Sequence, residues 1–447
     1  MIINVFYLFK CIQYLKIISD HSIFLLYSLN LKALKFKFQM SVDITAFLRD
    51  GIKNDEVNLI EEFTVSEEEY NYLFEPTTAS LPSPIEFNCP ILSASIYFNA
   101  PKCFNHLIGG SDINKPDQWG VSPVHFCCKF DKISFLTNEK FSTANFSATD
   151  WKGQTPLHYS AASGSVSTFQ FLLEQGVDIN VSDKFGLTPL HVACQNGNAQ
   201  IVDLLLQRGA EITPDFQQRL PLFYAISGNH FEIIPVFKQY RPELLTAVDP
   251  GQRSLLHIAS IYGASKCITP LIEAGCDPNA LDAISMAPIH YAAENNQIEV
   301  ITVLLSISSL DRSILDYFGN SSVHISAEFN CCKSISTIID SDDQLCDIKN
   351  KNGQTALHIA ALNGNVEAVK ALLKNGCTSN IIDINGKIPK DLASGSYADL
   401  IVNLLDGKNV NMSNLRGNPQ DVGIRERIQP VKQDENDIKT KSKCNIS

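Results

Sequence analysis

Membrane-spanning segments, metal motifs and enzyme signatures are all missing from this 447-residue sequence. No stretch reaches the roughly 18 uncharged apolar residues that a membrane-spanning helix needs. The 13 cysteines include no CxxC pair and no Cys/His spacing typical of a metal site. P-loop, GxGxxG, GxSxG, HExxH and kinase signatures are also missing. The sequence therefore gives no positive support for an enzyme, and we expect no catalytic residue, no cofactor and no metal.

Positive charge is also scarce. The chain has 36 Lys and Arg residues against 48 Asp and Glu residues, which gives a formal net charge of −12. Nucleic-acid binding usually needs a basic face, because most of its affinity comes from contacts to phosphates. We therefore expect no nucleic-acid partner.

A four-residue phrase recurs along the chain at a nearly fixed interval. Thr155-Pro156-Leu157-His158 and Thr188-Pro189-Leu190-His191 are identical and lie 33 residues apart. With weaker copies included, the second position of the phrase falls at residues 90, 123, 156, 189, 221, 255, 288, 322, 356 and 389. A period of 32 to 34 residues indicates a solenoid of stacked units. We number the ten copies repeats 1 to 10.

Each repeat has the pattern of two helices. A Ser or Thr followed by Pro suits the first positions of a helix. Eight residues after the Pro position, eight of the ten copies have Gly, Asn or Asp, which predicts a left-handed chain reversal. A second apolar helix follows, as in residues 201–206, and ends near a glycine such as Gly209.

A turn is predicted between successive repeats. An acidic residue lies six residues before the Pro position in eight copies, and Gly often follows it three residues later. This pattern is typical of a tight turn. We call the resulting β-hairpin-like segment a finger. The acids are Asp117, Asp150, Asp183, Asp215, Asp249, Asp282, Asp316 and Asp383.

The stretch from Asp183 to Ala210 resembles a near-consensus ankyrin repeat, and the stretch from Asn350 to Asn380 is similarly close. The resemblance covers roughly residues 84–407. It implies an all-α ankyrin-repeat solenoid that binds other proteins through its finger tips and the concave face of its first helices. It also implies that the His closing each phrase joins its helix start to neighbouring backbone and to the Thr hydroxyl, which leaves no catalytic role for these histidines.

Several cysteines occupy small-residue positions of the repeats. We predict that they are buried free thiols in a reducing, cytoplasmic compartment. They are Cys127, Cys128, Cys194, Cys276 and Cys377.

The flanks differ from the array. Residues 1–39 carry a net charge of +4. They are either a targeting or membrane-surface segment or a doubtful extension, with translation starting at Met40. Residues 40–83 are acidic, and we expect a helical N-terminal cap, with an acidic docking site as the alternative. Residues 408–447 are polar and aperiodic, which is typical of a disordered tail.

The last four residues fit a prenylation signal. Cys444 stands fourth from the end, Ile446 is aliphatic, and Ser447 favours farnesyl. Lysines just upstream supply the electrostatic signal that a single lipid usually requires. Attachment to the cytoplasmic face of a membrane is one hypothesis, and chance agreement in a polar tail is the other.

Aromatic residues are concentrated at the predicted partner-binding positions. Both tryptophans of the chain lie at finger tips, and exposed aromatics are enriched at interface hot spots. The finger-tip candidates are Trp119, Trp151, Phe185, Phe216, Tyr317 and Phe318. The first-helix candidates are Phe130, Tyr159, Tyr224, Tyr262 and Tyr291. The alternative is that the finger-tip rings pack locally against neighbouring fingers.

Together these features favour a monomeric, non-enzymatic scaffold or adaptor for other proteins. We expect its main site in repeats 2 to 5, anchored by Trp119, Trp151, Phe185 and Phe216. The alternative is a regulatory subunit or inhibitor of a partner enzyme.

Overall fold

A computed structural model describes residues 52–57 and 90–408. The chain divides into two compact parts, residues 1–111 and 112–447. Met40, Cys444, the predicted N-terminal extension and nearly all of the predicted cap and tail lie outside the described residues. None of the described helices is long and apolar enough to cross a bilayer.

The described residues of the first compact part are the segment 52–57 and the two short helices of repeat 1. The helices are α1 (Ile91–Tyr97) and α2 (Pro101–Leu107). Asp55 Oδ1 accepts hydrogen bonds from the backbone N–H groups of Lys102 at 3.0 Å and Cys103 at 2.9 Å. The Asp55 carboxylate thereby satisfies two orphan N–H groups in the first turn of α2.

The second compact part repeats the same helix pair. Repeats 2 to 5 contain α3 (Pro123–Lys129), α4 (Ile133–Leu136), α5 (Pro156–Ser163), α6 (Val166–Glu174), α7 (Pro189–Gln195), α8 (Ala199–Gln207), α9 (Pro221–Ser227) and α10 (Ile234–Tyr240). Repeats 6 to 9 contain α11 (Leu255–Tyr262), α12 (Ser265–Glu273), α13 (Pro288–Glu294), α14 (Ile298–Leu305), α15 (Ser322–Glu328), α16 (Cys332–Ile339), α17 (Ala356–Leu362) and α18 (Val366–Lys374).

Repeat 10 departs from this pattern, because its first helix is the 3₁₀ helix Pro389–Leu392, followed by α19 (Ala398–Leu405). Within the described residues, further 3₁₀ helices are Glu139–Thr143, Pro242–Thr246 and Asp343–Asp347, which lie in connections, and Phe231–Ile233, which leads directly into α10. No regular β-strand occurs in residues 52–57 and 90–408. The all-α repeat solenoid expected from the sequence is confirmed.

In most repeats, the His of the repeated phrase joins its helix start to the next repeat. In repeat 3, the Thr155 N–H donates to His158 Nδ1 at 3.1 Å, and the Thr155 hydroxyl lies 2.9 Å from the same nitrogen. His158 Nε2 donates to the Leu187 carbonyl oxygen at 2.9 Å. Burial lowers the pKa of this ring below its usual value, so the ring is neutral at pH 7. Five other phrase histidines make the same Nε2 contact with the next repeat, whereas His290 Nε2 has no hydrogen-bond partner among the described residues. The structural role implied for these histidines is confirmed at the six that make this contact.

The fingers are closed by the side chain of their acidic residue. In repeat 3, Asp150 Oδ1 accepts from the N–H groups of Lys152 at 2.9 Å and Gln154 at 2.8 Å. The Asp150 N–H donates to the Gln154 carbonyl oxygen at 3.0 Å, and Gly153, with a φ of +82°, completes the turn. Each finger is thus a tight hydrogen-bonded turn that projects its tip residues away from the helices.

One cysteine prediction is wrong. Cys377 forms a disulfide with Cys346, 31 residues earlier in the sequence. Cys346 lies in the 3₁₀ helix Asp343–Asp347, and Cys377 lies three residues after the end of α18, the second helix of repeat 9. Both side chains are buried. The repeat position of Cys377 could not show this pairing, because its partner belongs to an irregular connection. The other four cysteines are buried free thiols as predicted: Cys127, Cys128, Cys194 and Cys276.

Candidate protein-binding surface

Four consecutive fingers carry an exposed aromatic side chain at the tip. The exposed fractions are 38% for Trp119, 52% for Trp151, 52% for Phe185 and 74% for Phe216. Such exposure is unusual for large apolar side chains that stand next to one another, and it is typical of a binding surface. We call these four residues the aromatic finger surface.

The backbone holds these rings in register. The Trp151 N–H donates to the Trp119 carbonyl oxygen at 2.8 Å, and the Phe216 N–H donates to the Phe185 carbonyl oxygen at 3.2 Å. The two indole rings are 5.9 Å apart between centroids and are tilted by 51°. The Phe216 ring also approaches Gly186, where an added Cβ would come within 2.8 Å of ring atom Cδ1. The rings therefore contact neighbouring fingers at one edge and remain open to solvent elsewhere.

A second exposed aromatic pair lies at the finger tip of repeat 8. Tyr317 is 62% exposed and Phe318 is 63% exposed, and their rings meet edge to face at 5.4 Å. Lys351 Nζ lies 4.6 Å from the centroid of the Tyr317 ring. Ile284 exposes its side chain on the preceding finger, in repeat 7, and Ile384 exposes its side chain on the finger of repeat 10. The structure thus places Tyr317 and Phe318 apart from the aromatic finger surface.

Three first-helix candidates have a structural partner. The hydroxyl groups of Tyr159, Tyr224 and Tyr291 donate to the finger carboxylates Asp150, Asp215 and Asp282 at 3.0, 2.6 and 2.6 Å. Burial raises the pKa of each phenol, so the hydroxyls keep their protons and act as donors. The sequence signal for this bond is a Tyr nine residues after the finger Asp, and it could have been recognised from spacing alone.

Each of these tyrosine rings also packs against the histidine of the preceding repeat. The ring centroids are 4.9 Å apart for His125 and Tyr159, 5.7 Å for His191 and Tyr224, and 5.8 Å for His257 and Tyr291. All three contacts are edge to face, the arrangement that aromatic pairs favour. These half-buried tyrosines stabilise the stacking of repeats.

Phe130 and Tyr262, the remaining first-helix candidates, are half-buried at the ends of α3 and α11. The Phe130 ring lies 6.1 Å from Phe126, and Lys129 Nζ lies 5.7 Å from the Phe130 centroid. Across the described residues, no group of three or more His, Cys, Asp or Glu side chains could hold a metal ion.

Comparison with known proteins agrees with this architecture. The family model described as ankyrin repeats (3 copies) matches residues 91–183, 169–246, 256–345 and 323–414. An ankyrin and IPT/TIG repeat-containing protein of Schizosaccharomyces pombe is 41% identical over 59 residues, which span 13% of this chain and 5% of that protein. A glycerophosphocholine phosphodiesterase of the same yeast is 31% identical over 96 residues, which span 21% of this chain and 8% of that protein.

Both similarities are thus confined to a small part of the longer relatives. The family matches, in contrast, extend over most of this chain and coincide with its helix pairs. Ankyrin repeats support a role in protein–protein interaction. The chain belongs to the ankyrin repeat family.

Proposed function

We propose that this protein is a non-enzymatic scaffold that binds partner proteins through the aromatic finger surface. The observation that supports this most directly is the row of four exposed rings on four successive, hydrogen-bonded fingers. Large aromatic side chains contribute most to interface energies when a partner removes them from water.

The fingers favour binding because they are already ordered. The N–H groups of Trp119 and Phe185 donate to the Asp carboxylates of their own fingers, both at 2.8 Å. Those of Trp151 and Phe216 donate to the preceding finger. Little backbone entropy is lost when a partner binds such a surface, so more of the contact energy appears as affinity.

The second aromatic pair supports a scaffold in particular. Tyr317 and Phe318 lie four repeats further along the chain than Phe185, and they expose a comparable ring surface. Two separate surfaces on one chain allow it to bind two partners at once. The alternative role, inhibition of a partner enzyme, would need only one of these surfaces.

Affinity purification with two matched variants tests the proposal. One variant replaces Trp119, Trp151, Phe185 and Phe216 with Ala, and the other replaces Tyr317 and Phe318 with Ala. We expect each variant to lose a different set of partners while its circular dichroism is unchanged. Retention of all partners by both folded variants contradicts the proposal. Membrane attachment through Cys444 remains a prediction that does not affect this test.

A further inference from the structure

Two lysine side chains flank the Trp151 indole in the aromatic finger surface. Lys152 Nζ lies 5.3 Å from the centroid of that ring, and Lys184 Nζ donates to the Trp151 carbonyl oxygen at 2.7 Å. Neither lysine forms an ion pair within the described part of the chain. Two ammonium groups therefore stand beside an exposed ring without a carboxylate to neutralise them.

The nearby carboxylates point away from solvent. Asp150 and Asp183 are 6% and 4% exposed. Oδ1 of Asp183 accepts from two backbone N–H groups at 2.8 and 2.9 Å, and its Oδ2 accepts from Gln154 Nε2 at 3.2 Å. Asp150 is bonded in the same way, with Tyr159 as the donor to Oδ2. A ligand approaching the finger tips meets the lysines and not these acids.

The exposed acids of repeats 3 and 4 lie at or after the second helices and not at the finger tips. Glu174 is the last residue of the second helix α6, and Asp178 and Glu211 follow second helices. The finger cation of repeat 5, Arg219, is already paired with Asp215 at 2.9 Å. The aromatic finger surface is therefore locally positive on a chain whose formal net charge is −12.

We infer that the partner segment bound by the aromatic finger surface is an acidic stretch of protein in which Asp or Glu lies next to apolar side chains. This inference rests on the proposed function. Carboxylates would pair with Lys152 and Lys184 while apolar side chains cover the rings. A long polyanion such as a nucleic acid fits less well, because the exposed acids behind the fingers would repel it.

Selection of random peptides of about 12 residues on the full chain tests the inference. We expect the selected peptides to carry net negative charge and at least one aromatic or large aliphatic residue. Lys152→Gln with Lys184→Gln should weaken the best peptide roughly tenfold, because two ion pairs are lost, and should reduce the salt dependence of binding. The control variant Lys140→Gln with Lys266→Gln, at two exposed positions away from the finger tips, should change affinity less than about twofold.

The class of partner and the binding surface are tested by different outcomes. If neutral or basic peptides are selected, or the Lys152 and Lys184 variant binds like wild type, the acidic partner is wrong. If the peptide still binds the chain after Trp119, Trp151, Phe185 and Phe216 are replaced with Ala, the binding surface itself is wrong. Preference for anionic vesicles or for single-stranded DNA over the selected peptides also overturns the acidic-protein inference.

A different observation concerns the junction between repeats 5 and 6. At every other junction from repeat 2 to repeat 10, a finger N–H donates to a carbonyl oxygen of the preceding finger, as from Lys184 to Lys152 at 2.9 Å. In repeat 6 the donor position is Pro250, which has no N–H. In repeat 5, Phe223 replaces the His that would donate to the next repeat.

The opposite side of this junction keeps its hydrogen bonds. The Lys266 N–H donates to Asn229 Oδ1 at 3.2 Å, and Lys238 Nζ donates to the Glu273 carbonyl oxygen at 3.0 Å. The Cys276 thiol donates to the carbonyl oxygen of Leu245, 3.2 Å away. The junction is therefore connected along the second helices and lacks both connections along the fingers.

The geometry points to a hinge between repeats 5 and 6 that opens on the finger side. Such a hinge would change the distance between the aromatic finger surface and the pair Tyr317 and Phe318. Because each repeat contacts only its neighbours, one weakly bonded interface lets the repeats before it move relative to the repeats after it.

Double electron–electron resonance tests the hinge by measuring the distance distribution between genetically encoded spin labels at the exposed positions 167 and 333. Pro250→Ala with Phe223→His supplies both missing donors, and the distance distribution should become narrower than in wild type. If the His introduced at the buried position 223 disturbs folding, Pro250→Ala alone restores one donor at an exposed tip residue and should also narrow the distribution. Equal widths in wild type and in both folded variants overturn the hinge.

Discussion

The Tyr224 hydroxyl donates to Asp215 Oδ2 at 2.6 Å, whereas Phe216, the next residue after Asp215, is 74% exposed. Repeat 5 thus contains both kinds of aromatic position in this protein, one in its first helix and one at its finger tip. Tyr224 is bonded into the array and packs on His191, while Phe216 has no comparable structural partner. The distinction separates rings that stabilise the repeats from rings that are available to a partner.

Replacing Tyr224 with Phe should destabilise the protein without affecting partner binding. The change leaves Asp215 with one donor fewer in a buried site, which costs about 1 kcal/mol of unfolding free energy. Urea denaturation measures the cost. Tyr317→Phe is the matched control, since its ring is exposed, and it should change the unfolding free energy by less than about 0.5 kcal/mol. Equal effects of the two substitutions would contradict the structural role of Tyr224.

Replacing His158 with Leu should be more costly. It removes the acceptor for the Thr155 N–H and the donor to the Leu187 carbonyl oxygen, both in buried surroundings. Leaving such groups without partners costs about 3 kcal/mol. Ala162→Ser, on the exposed side of the same helix, should stay within about 0.5 kcal/mol of wild type. If His158→Leu and Ala162→Ser have comparable denaturation midpoints, the hydrogen bonds of His158 do not stabilise the contact between repeats.

The buried histidines predict an acid-sensitive fold. Burial lowers the pKa of His125 and His324 from 6.5 to about 4. The unfolded chain takes up protons at these rings near pH 6.5, and the folded chain does so only near pH 4. Their contribution to stability is therefore complete above pH 6.5 and is lost as pH falls towards 4.

Each of these two rings contributes on the order of 3 kcal/mol across that window. Urea midpoints at pH 7 and pH 5 measure the loss. A His125→Gln and His324→Gln variant should be less stable at pH 7 and should lose less stability on acidification than wild type. An unchanged pH dependence in that variant would contradict the assignment.

The disulfide makes a chemical prediction. Peptide mapping without reductant should recover Cys346 linked to Cys377, while the buried Cys127 stays unmodified by alkylating reagents until the protein unfolds. Closing a loop of this length stabilises a protein by about 3 to 4 kcal/mol in the chain-entropy account. Reduction should therefore lower the stability of repeats 8 and 9. Repeat 6 is the internal control, because Leu245 and Cys276 hold the equivalent positions there and form no disulfide. Two freely alkylated thiols at Cys346 and Cys377 would contradict the pairing.

The repeat period, the helix starts and the exposed finger tips could be predicted from the sequence, because each depends on local residue types at a fixed spacing. Thr155, Pro156 and His158 act within one turn of helix, and Asp150 acts within its own finger. Local chemistry of this kind is visible in a single sequence.

Other features depend on residues in two repeats and were missed. The disulfide needs Cys346 from a connection and Cys377 from the next repeat. The Tyr159 ring packs on His125 of the preceding repeat, and the pattern within one repeat does not show this contact. Which of the exposed rings bind a partner cannot be derived from spacing, since the repeat pattern describes this chain and carries no information on the partner.

The dissociation constant of a purified partner, measured by calorimetry with the full chain, tests the central claim most directly. Wild type is compared with the variant in which Trp119, Trp151, Phe185 and Phe216 are replaced with Ala. Loss of several hot-spot rings should weaken binding by about 100-fold or more, while the melting temperature stays close to that of wild type. For the same partner, affinities within about twofold of each other would contradict the claim that the aromatic finger surface is the binding site.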